Sequence, residues 1–576
     1  MARFEPRARV LLGAALSLIV CACGGSLSAS KTANDVPGGG TGGSGHSGTC
    51  FQDSDCPTGL LCQAQQCVAG DGKPPEQKIL IFQQPQTSAH YVFALSPDND
   101  SVAVIDPNTL AIRSITLPHE PYGLQVIPNQ DAAVIVARAG ASVSFLSCDA
   151  QACHLQTQAT NRHYPNVAAS SDGHWALLWT MDPQTPDEGA EGIVGVVDVS
   201  QLAAGTPVPI VERAAGRRDT NAFFRVENGA AADAVVIGED HVAVIDLANL
   251  ASKPLPQSIS LPTAFSAVAS RNAVSSPDGT YALLRSYASH DVEVLEVATR
   301  QLTALTMPGT PSDVELAANG STALTVLRDT GQVATFPLPD ALTDPSKVSV
   351  VPVTLTADEC TPGIVDGGAP DAGPIACTAN AGQASLSPDG KLAALFTNVQ
   401  PSKSFVVLDL TTATVTNFDG LKKWVNTLGI GPDGHTVVVL HAPNPGSTAA
   451  DSYQHMVDVS QGYSVVDLQA NQAQLKLTQT VPPQEFVFSS DGTHAAVTLS
   501  DPDAETFQID AIDLQTLVTS TLSLASAPQF AGPFANSTPV IWVTQDHPAG
   551  RISFVDLSSE QVRTATGYAL NAGISP

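Results

Sequence analysis

Four short stretches of this sequence set cations beside aromatic rings or beside one another. They are His119 with Tyr122, the run Arg162-His163-Tyr164, the pair Arg217-Arg218, and the run Lys422-Lys423-Trp424. Mixed cationic and aromatic groups suit an acidic ligand, a carbohydrate or a loop of a protein partner. Such groupings stand out because the 576 residues hold only 26 lysines and arginines against 55 aspartates and glutamates, a net charge of −29. That balance disfavours nucleic acid, whose phosphates require a basic surface. It also keeps an exported chain soluble.

Motifs for other chemistries are sparse. The stretch from His119 to Gly123 reads HEPYG and lacks the second histidine of a zinc-protease helix, and no GxSxG, phosphate-binding Walker loop or CxxCH is present. His119, Glu120 and Arg162 are the most that an enzymatic site could draw on. The acidic stretches at 366–373 and 501–505 lack the alternating carboxylates closed by a distal Glu that an EF-hand loop uses. We therefore expect no catalytic set, no metal site and no cofactor.

What would position the four stretches is a repeat. An alternating β-branched run ending in an acid occurs as SVAVID (101–106), GVVDV (195–199), HVAVIDL (241–247), DVEVLEV (291–297), FVVLDL (405–410), YSVVDL (463–468), IDAIDL (509–514) and ISFVDL (552–557). Degenerate copies at 141–147 and 331–337 bring the number to ten, with a step of roughly 50 residues. Between copies stand SSDG, SPDG or GPDG flanked by apolar runs, a hairpin signal because Gly accepts the positive φ of a tight turn. The acid after each β-branched run suits an Asx-type turn into a further strand. Each unit thus reads as four strands, A to D, with A before the Asp-Gly turn and B after it.

Four antiparallel strands repeated ten times predict an all-β chain, a β-propeller of four-stranded blades in one ring. The chain ends NAGISP, the first half of the unit, whereas residues 91–117 supply strands B, C and D with no complete A before them. The expectation is one blade shared by the two ends, with residues 569–576 as its strand A, so that their deletion would open the ring. The connections from strand D to the next strand A gather on one face around the channel, and all four cation-bearing stretches fall in them.

Of the ten cysteines, six lie ahead of the ring and four inside it. Cys50, Cys56, Cys62 and Cys67 occupy a stretch too small to build a core, so two disulfides are expected, with three connectivities open. The alternative of a four-thiolate metal site fits poorly with gaps longer than CxxC. Within the ring Cys148–Cys153 can staple a hairpin and Cys360–Cys377 can close a turn-rich insertion.

Arg3, Arg7 and Arg9 precede an apolar run at 10–20, too short to span a bilayer and suited to an export signal. Its end, Val20-Cys21-Ala22-Cys23, resembles a bacterial lipobox. That resemblance implies lipidation of Cys23, because bulky Val20 would stand directly before Cys21. An ordinary signal cleaved after an alanine is the alternative. Gly24 replaces the aspartate that commonly retains such proteins at the inner membrane, which implies an outer-membrane lipoprotein facing either the periplasm or the outside. The organisation expected is a signal peptide at 1–22, a lipidated Gly/Ser-rich tether at 23–49, a Cys-rich module at 50–67, a linker with a possible edge strand at 68–89, and the propeller at 90–576.

The repeat itself resembles the YVTN and PD40 (WD40-like) propeller families. YVFAL (91–95) stands where the former has its Tyr-Val-Thr-Asn, and SPDG is the hallmark of the latter. The resemblance covers about residues 90–576 and speaks to fold more than to function. It implies a monomeric, envelope-anchored binding or scaffold propeller for an unidentified protein or glycan, held at the membrane by lipid alone. The alternatives it raises are a lactonase-like or quinoprotein-like propeller enzyme, and an envelope component resembling the propeller of TolB.

Overall fold

The computed structural model describes residues 60–63, 66–69 and 84–568, leaving aside 119–120, 138–140, 181–191, 201, 203–207, 216–220, 253–254, 267–270, 358–376, 400, 443–451, 535–537 and 548. Within them lie ten four-stranded antiparallel sheets, each with its strands in chain order. They are numbered here as blades 1 to 10: residues 86–116, 121–159, 166–214, 221–260, 271–306, 313–352, 383–418, 424–479, 483–523 and 528–566. The first strands of successive blades lie against one another and form the inner wall. The two degenerate repeats are full members, since Ser142–Cys148 and Gln332–Pro337 are the third strands of blades 2 and 6.

Turn chemistry follows the sequence closely. In blade 5 the Ser276 hydroxyl donates to Asp278 Oδ1 (2.6 Å) and accepts from the Tyr281 N–H (3.0 Å), while Asp278 also accepts from Thr280 N (3.0 Å). Gly279 supplies φ = +67°, and a β-carbon there would overlap the Phe224 carbonyl of blade 4. The turn therefore also seats one blade on the one before it. The acids after the third strands form Asx turns, as where Asp106 Oδ1 accepts from Asn108 N (2.7 Å) and Thr109 N (3.2 Å).

The second and third strands are apolar on both sides because both sides are buried. In blade 5, Tyr281 and Leu283 join a cluster with blade 6, whereas Ala282 and Leu284 join one with blade 4. Ten such clusters fill the ten interfaces between neighbours. The last joins Trp542, Ile552 and Phe554 of blade 10 to Val92, Ala103 and Ile105 of blade 1, and Arg563 Nη1 donates across it to Asn108 O (3.1 Å). The ring is closed.

Its seam differs from expectation. The strand beside Val92 and Phe93 is Gln86–Thr87, inside the stretch read as linker, so all four strands of blade 1 come from one end of the chain. The Gln86 amide explains why so short a strand holds its place: it donates to Leu124 O and accepts from Val126 N of blade 2, both at 2.7 Å. Residues 569–576, expected there, lie outside the described residues, and Tyr568 packs against the cluster between blades 10 and 1. Two further departures are local. A two-stranded hairpin, Thr354–Ala357 with Cys377–Asn380, joins blade 6 to blade 7, and a helix, Tyr453–Val459, lies between the second and third strands of blade 8.

Candidate functional site

The connections between blades share a face with the loops that join second to third strands, a consequence of four antiparallel strands per blade. His119, Arg217 and Arg218 lie outside the described residues, as do Cys23, Cys50, Cys56 and Cys360. Tyr122 sits half-buried on the inner strand Pro121–Val126. The shallow, open cleft beside it, bounded by Leu117, Pro118, Pro121 and Ile135, has a cavity volume of about 10 Å³, far below the roughly 300–1,000 Å³ of ordinary ligand pockets.

Arg162, His163 and Tyr164 are brought together, and the contacts they make join blade 2 to blade 3. Tyr164 is buried and donates to Glu212 Oε1 (3.0 Å), whose other oxygen lies 3.7 Å from Arg162 Nε. Burial, and then the Glu212 acceptor, push the phenol above its ordinary range. His163 Nε2 lies 2.8 Å from the Ala137 carbonyl. Cys148 and Cys153, directly opposite across a hairpin, are bonded with a Cα separation of 4.1 Å. The backbone register likewise sets Cys62 opposite Cys67.

The blade 8 stretch differs, because it supports something. Lys423 is fully buried and its ammonium donates to the carbonyls of Val457 (2.6 Å) and Asp458 (2.9 Å), the last turn of the helix Tyr453–Val459. Burial pushes Lys423 down to about 8. At the other end of the helix the Ser452 hydroxyl accepts from His455 N (3.0 Å). Below it, the Trp424 carbonyl meets His441 Nδ1 (3.0 Å), whose Nε2 meets Ser464 Oγ (2.7 Å); burial holds this imidazole down at about 4.

Clamped in this way, the helix turns Val457 and Asp458 inward and presents Tyr453, Met456 and Val459 to solvent at 65%, 47% and 45% exposure. Residues three apart share a helix face, so the three form one apolar stripe. Val399, in the corresponding loop of blade 7, is 53% exposed, and Lys422 is exposed beside its buried neighbour. In the sequence this segment stands outside the repeat. The signal it did carry was Ser452 three residues before His455, with apolar residues spaced by three after it.

A second feature was missed altogether. At one register position on the inner strands stand Asn166, Asn221, Asn272, Asp313, Gln383, Thr427 and Glu485. Several reach the backbone edge of the next inner strand: Asn221 donates to Ala273 O (3.4 Å), Asp313 accepts from Ala384 N (2.9 Å), and Glu485 accepts from Ala531 N. Inner strands expose one unpaired edge, and this collar satisfies part of it. In most blades the signal is a polar residue four positions before the turn. Burial raises Asp313 to about 6 and Glu485 to about 7, and it holds Glu315, on the same strand face as Asp313, well above its ordinary value with help from the Asp313 charge. Among the described residues no cluster of His, Cys, Asp and Glu has the makings of a metal site, and no helix is long and apolar enough to cross a membrane.

No protein-family model matches the chain, and no curated protein matches it either. Solved structures similar to it include hydrazine synthase of Kuenenia stuttgartiensis (14% identity, 50% of this chain and 76% of that one, TM-score 0.31). Others are the dihydro-heme d1 dehydrogenase NirN in complex with DHE (13%, 78% and 77%, 0.40) and a eukaryotic initiation factor (10%, 84% and 98%, 0.47). The assignment of this chain as a ten-bladed propeller rests on its own strand pairing and on the ten interfaces that close it.

Proposed function

We propose that this chain is an envelope-anchored binding propeller, tethered by lipid at Cys23, which docks a protein partner on the face where blades are connected, over blades 7 and 8. The observation that carries the reading is the clamped helix Tyr453–Val459: its apolar stripe faces solvent while a buried lysine holds it from below. A rigid, pre-ordered apolar anchor with a charged rim is what protein interfaces use. Lys422 places one exposed cation beside this patch, so the fitting partner offers apolar side chains flanked by an acid.

A photoreactive amino acid at Met456, tested in the native envelope, is expected to give one discrete protein adduct that Tyr453→Ala abolishes. The same probe at Val518, which is exposed on the opposite face, is expected to give none. Equal labelling from both positions overturns the docking assignment. Cys23→Ser is expected to move the protein from the membrane fraction to the soluble one, and retention in the membrane overturns the anchoring.

A further inference from the structure

Blades 5 and 6 carry two arginines, Arg285 buried and Arg328 half-buried, that form no ion pair with an acid among the described residues. Arg285, on the second strand Tyr281–Ser286, is 95% buried and lies on the side facing blade 6, paired with Asn272 and Val292. Its guanidinium sits 4.6 Å from the centre of the Tyr287 ring, and its Nε and Nη1 have no hydrogen-bond partner among the described residues. Arg328 follows the second strand of blade 6. It lies against Gly382, where any β-carbon would overlap its guanidinium, and its Nε is likewise buried without a partner. The backbone around it is pinned: Asn380 Nδ2 donates to Arg328 O (2.7 Å) and the Ser312 hydroxyl to Gly382 O (3.2 Å).

The carboxylate of Asp313 compensates them only in part. Asp313 feels both guanidinium groups, yet it accepts from Ala384 N (2.9 Å) and Val314 N (3.1 Å) and closes an ion pair with neither arginine. Burial holds Asp313 up at about 6 and lowers Arg328, with Arg285 adding to that depression. Burying a charge without a partner costs several kcal/mol on general grounds, and two like charges side by side cost more. A planar guanidinium fork matches an oxyanion bidentately, and a pair of forks at a rigid interface suits one anion held between them.

We propose that Arg285 and Arg328 form an oxyanion-binding site at the connection-face end of blade 6, between blade 5 and the start of blade 7, taking a carboxylate or phosphate group. It stands apart from the blade 8 helix and does not depend on that docking surface.

Calorimetric titration of the purified full chain with inorganic phosphate and, separately, with glucuronate at constant ionic strength tests this. Saturable binding of at least one probe is expected, weakened at least tenfold by Arg328→Gln and unchanged by Arg300→Gln, whose arginine already pairs with Asp233 (3.1 Å). Phosphate alone would mark a phosphate-type site, and glucuronate alone a carboxylate site. Gly382→Ala, which displaces the Arg328 guanidinium without removing a charge, is expected to weaken binding similarly and covers the case in which an arginine variant fails to fold. Saturable binding of neither probe by the parent chain overturns the site, as does parental affinity in both variants.

Discussion

Glu485 and His441 carry opposite pH signatures in neighbouring blades. Burial lifts the Glu485 carboxyl from its ordinary 4.5 to about 7, against the pull of its hydrogen bond from Ala531 N. Its favourable contribution is complete below pH 4.5 and is lost as pH rises through 7. His441 is the reverse: held at about 4 against an ordinary 6.5, its contribution is complete above pH 6.5 and is lost as pH falls through 4. Glu485→Gln is therefore expected to gain stability at pH 8, by at most about 3 kcal/mol, and to gain nothing at pH 4. Urea unfolding at the two pH values measures this, and an equal effect at both would show that the carboxyl titrates normally. Neither shift was legible in the sequence. Glu485 sits four residues before an Asp-Gly turn, which is visible in one dimension, but its burial comes from the next blade. The turn aspartates were legible, because their partners lie two or three residues away.

Hairpins show the same division between local and distant causes. Gly279 and Gly229 both close turns with positive φ, +67° and +79°, and either could be read from the sequence as a turn glycine. Only Gly279 presses on the Phe224 carbonyl of the preceding blade, while nothing lies within 4 Å of a β-carbon at Gly229. Gly229→Ala should cost about 1–2 kcal/mol, the penalty of left-handed backbone alone. Gly279→Ala should cost at least twice as much, and equal losses in denaturant unfolding would remove the seating role of the turn. The helix of blade 8 gives a second test at this scale. Lys423→Met leaves the carbonyls of Val457 and Asp458 without their donor, each unpaired group costing about 1–3 kcal/mol. Loss of the Met456 adduct is expected along with this destabilisation. An intact adduct would show that the stripe does not need its clamp. Lys423 looked like a ligand-facing cation in the sequence because nothing local marks it as a buried donor to a helix 34 residues ahead.

At the scale of the molecule, ten repeats and one ring were legible because each blade is built from neighbouring segments of the chain. The seam was not, because the two-residue strand Gln86–Thr87 carries no pattern and is held by blade 2. The closed ring has a thermodynamic consequence. Phe554 of blade 10 and Phe336 of blade 6 both lie on third strands and are each 1% exposed, one at the seam and the other in the interface between blades 5 and 6. In an open series the terminal blade would fray, and truncating Phe554 would cost little. In a closed ring every interface has a blade on both sides, so Phe554→Ala and Phe336→Ala should each cost about 3–5 kcal/mol. Denaturant unfolding is expected to show both losses within about 1 kcal/mol of each other, since cavity costs at comparable sites differ by how far the site can collapse. A seam variant that loses less than a third of what the interior variant loses would mean that blades 10 and 1 are not joined as the other pairs are.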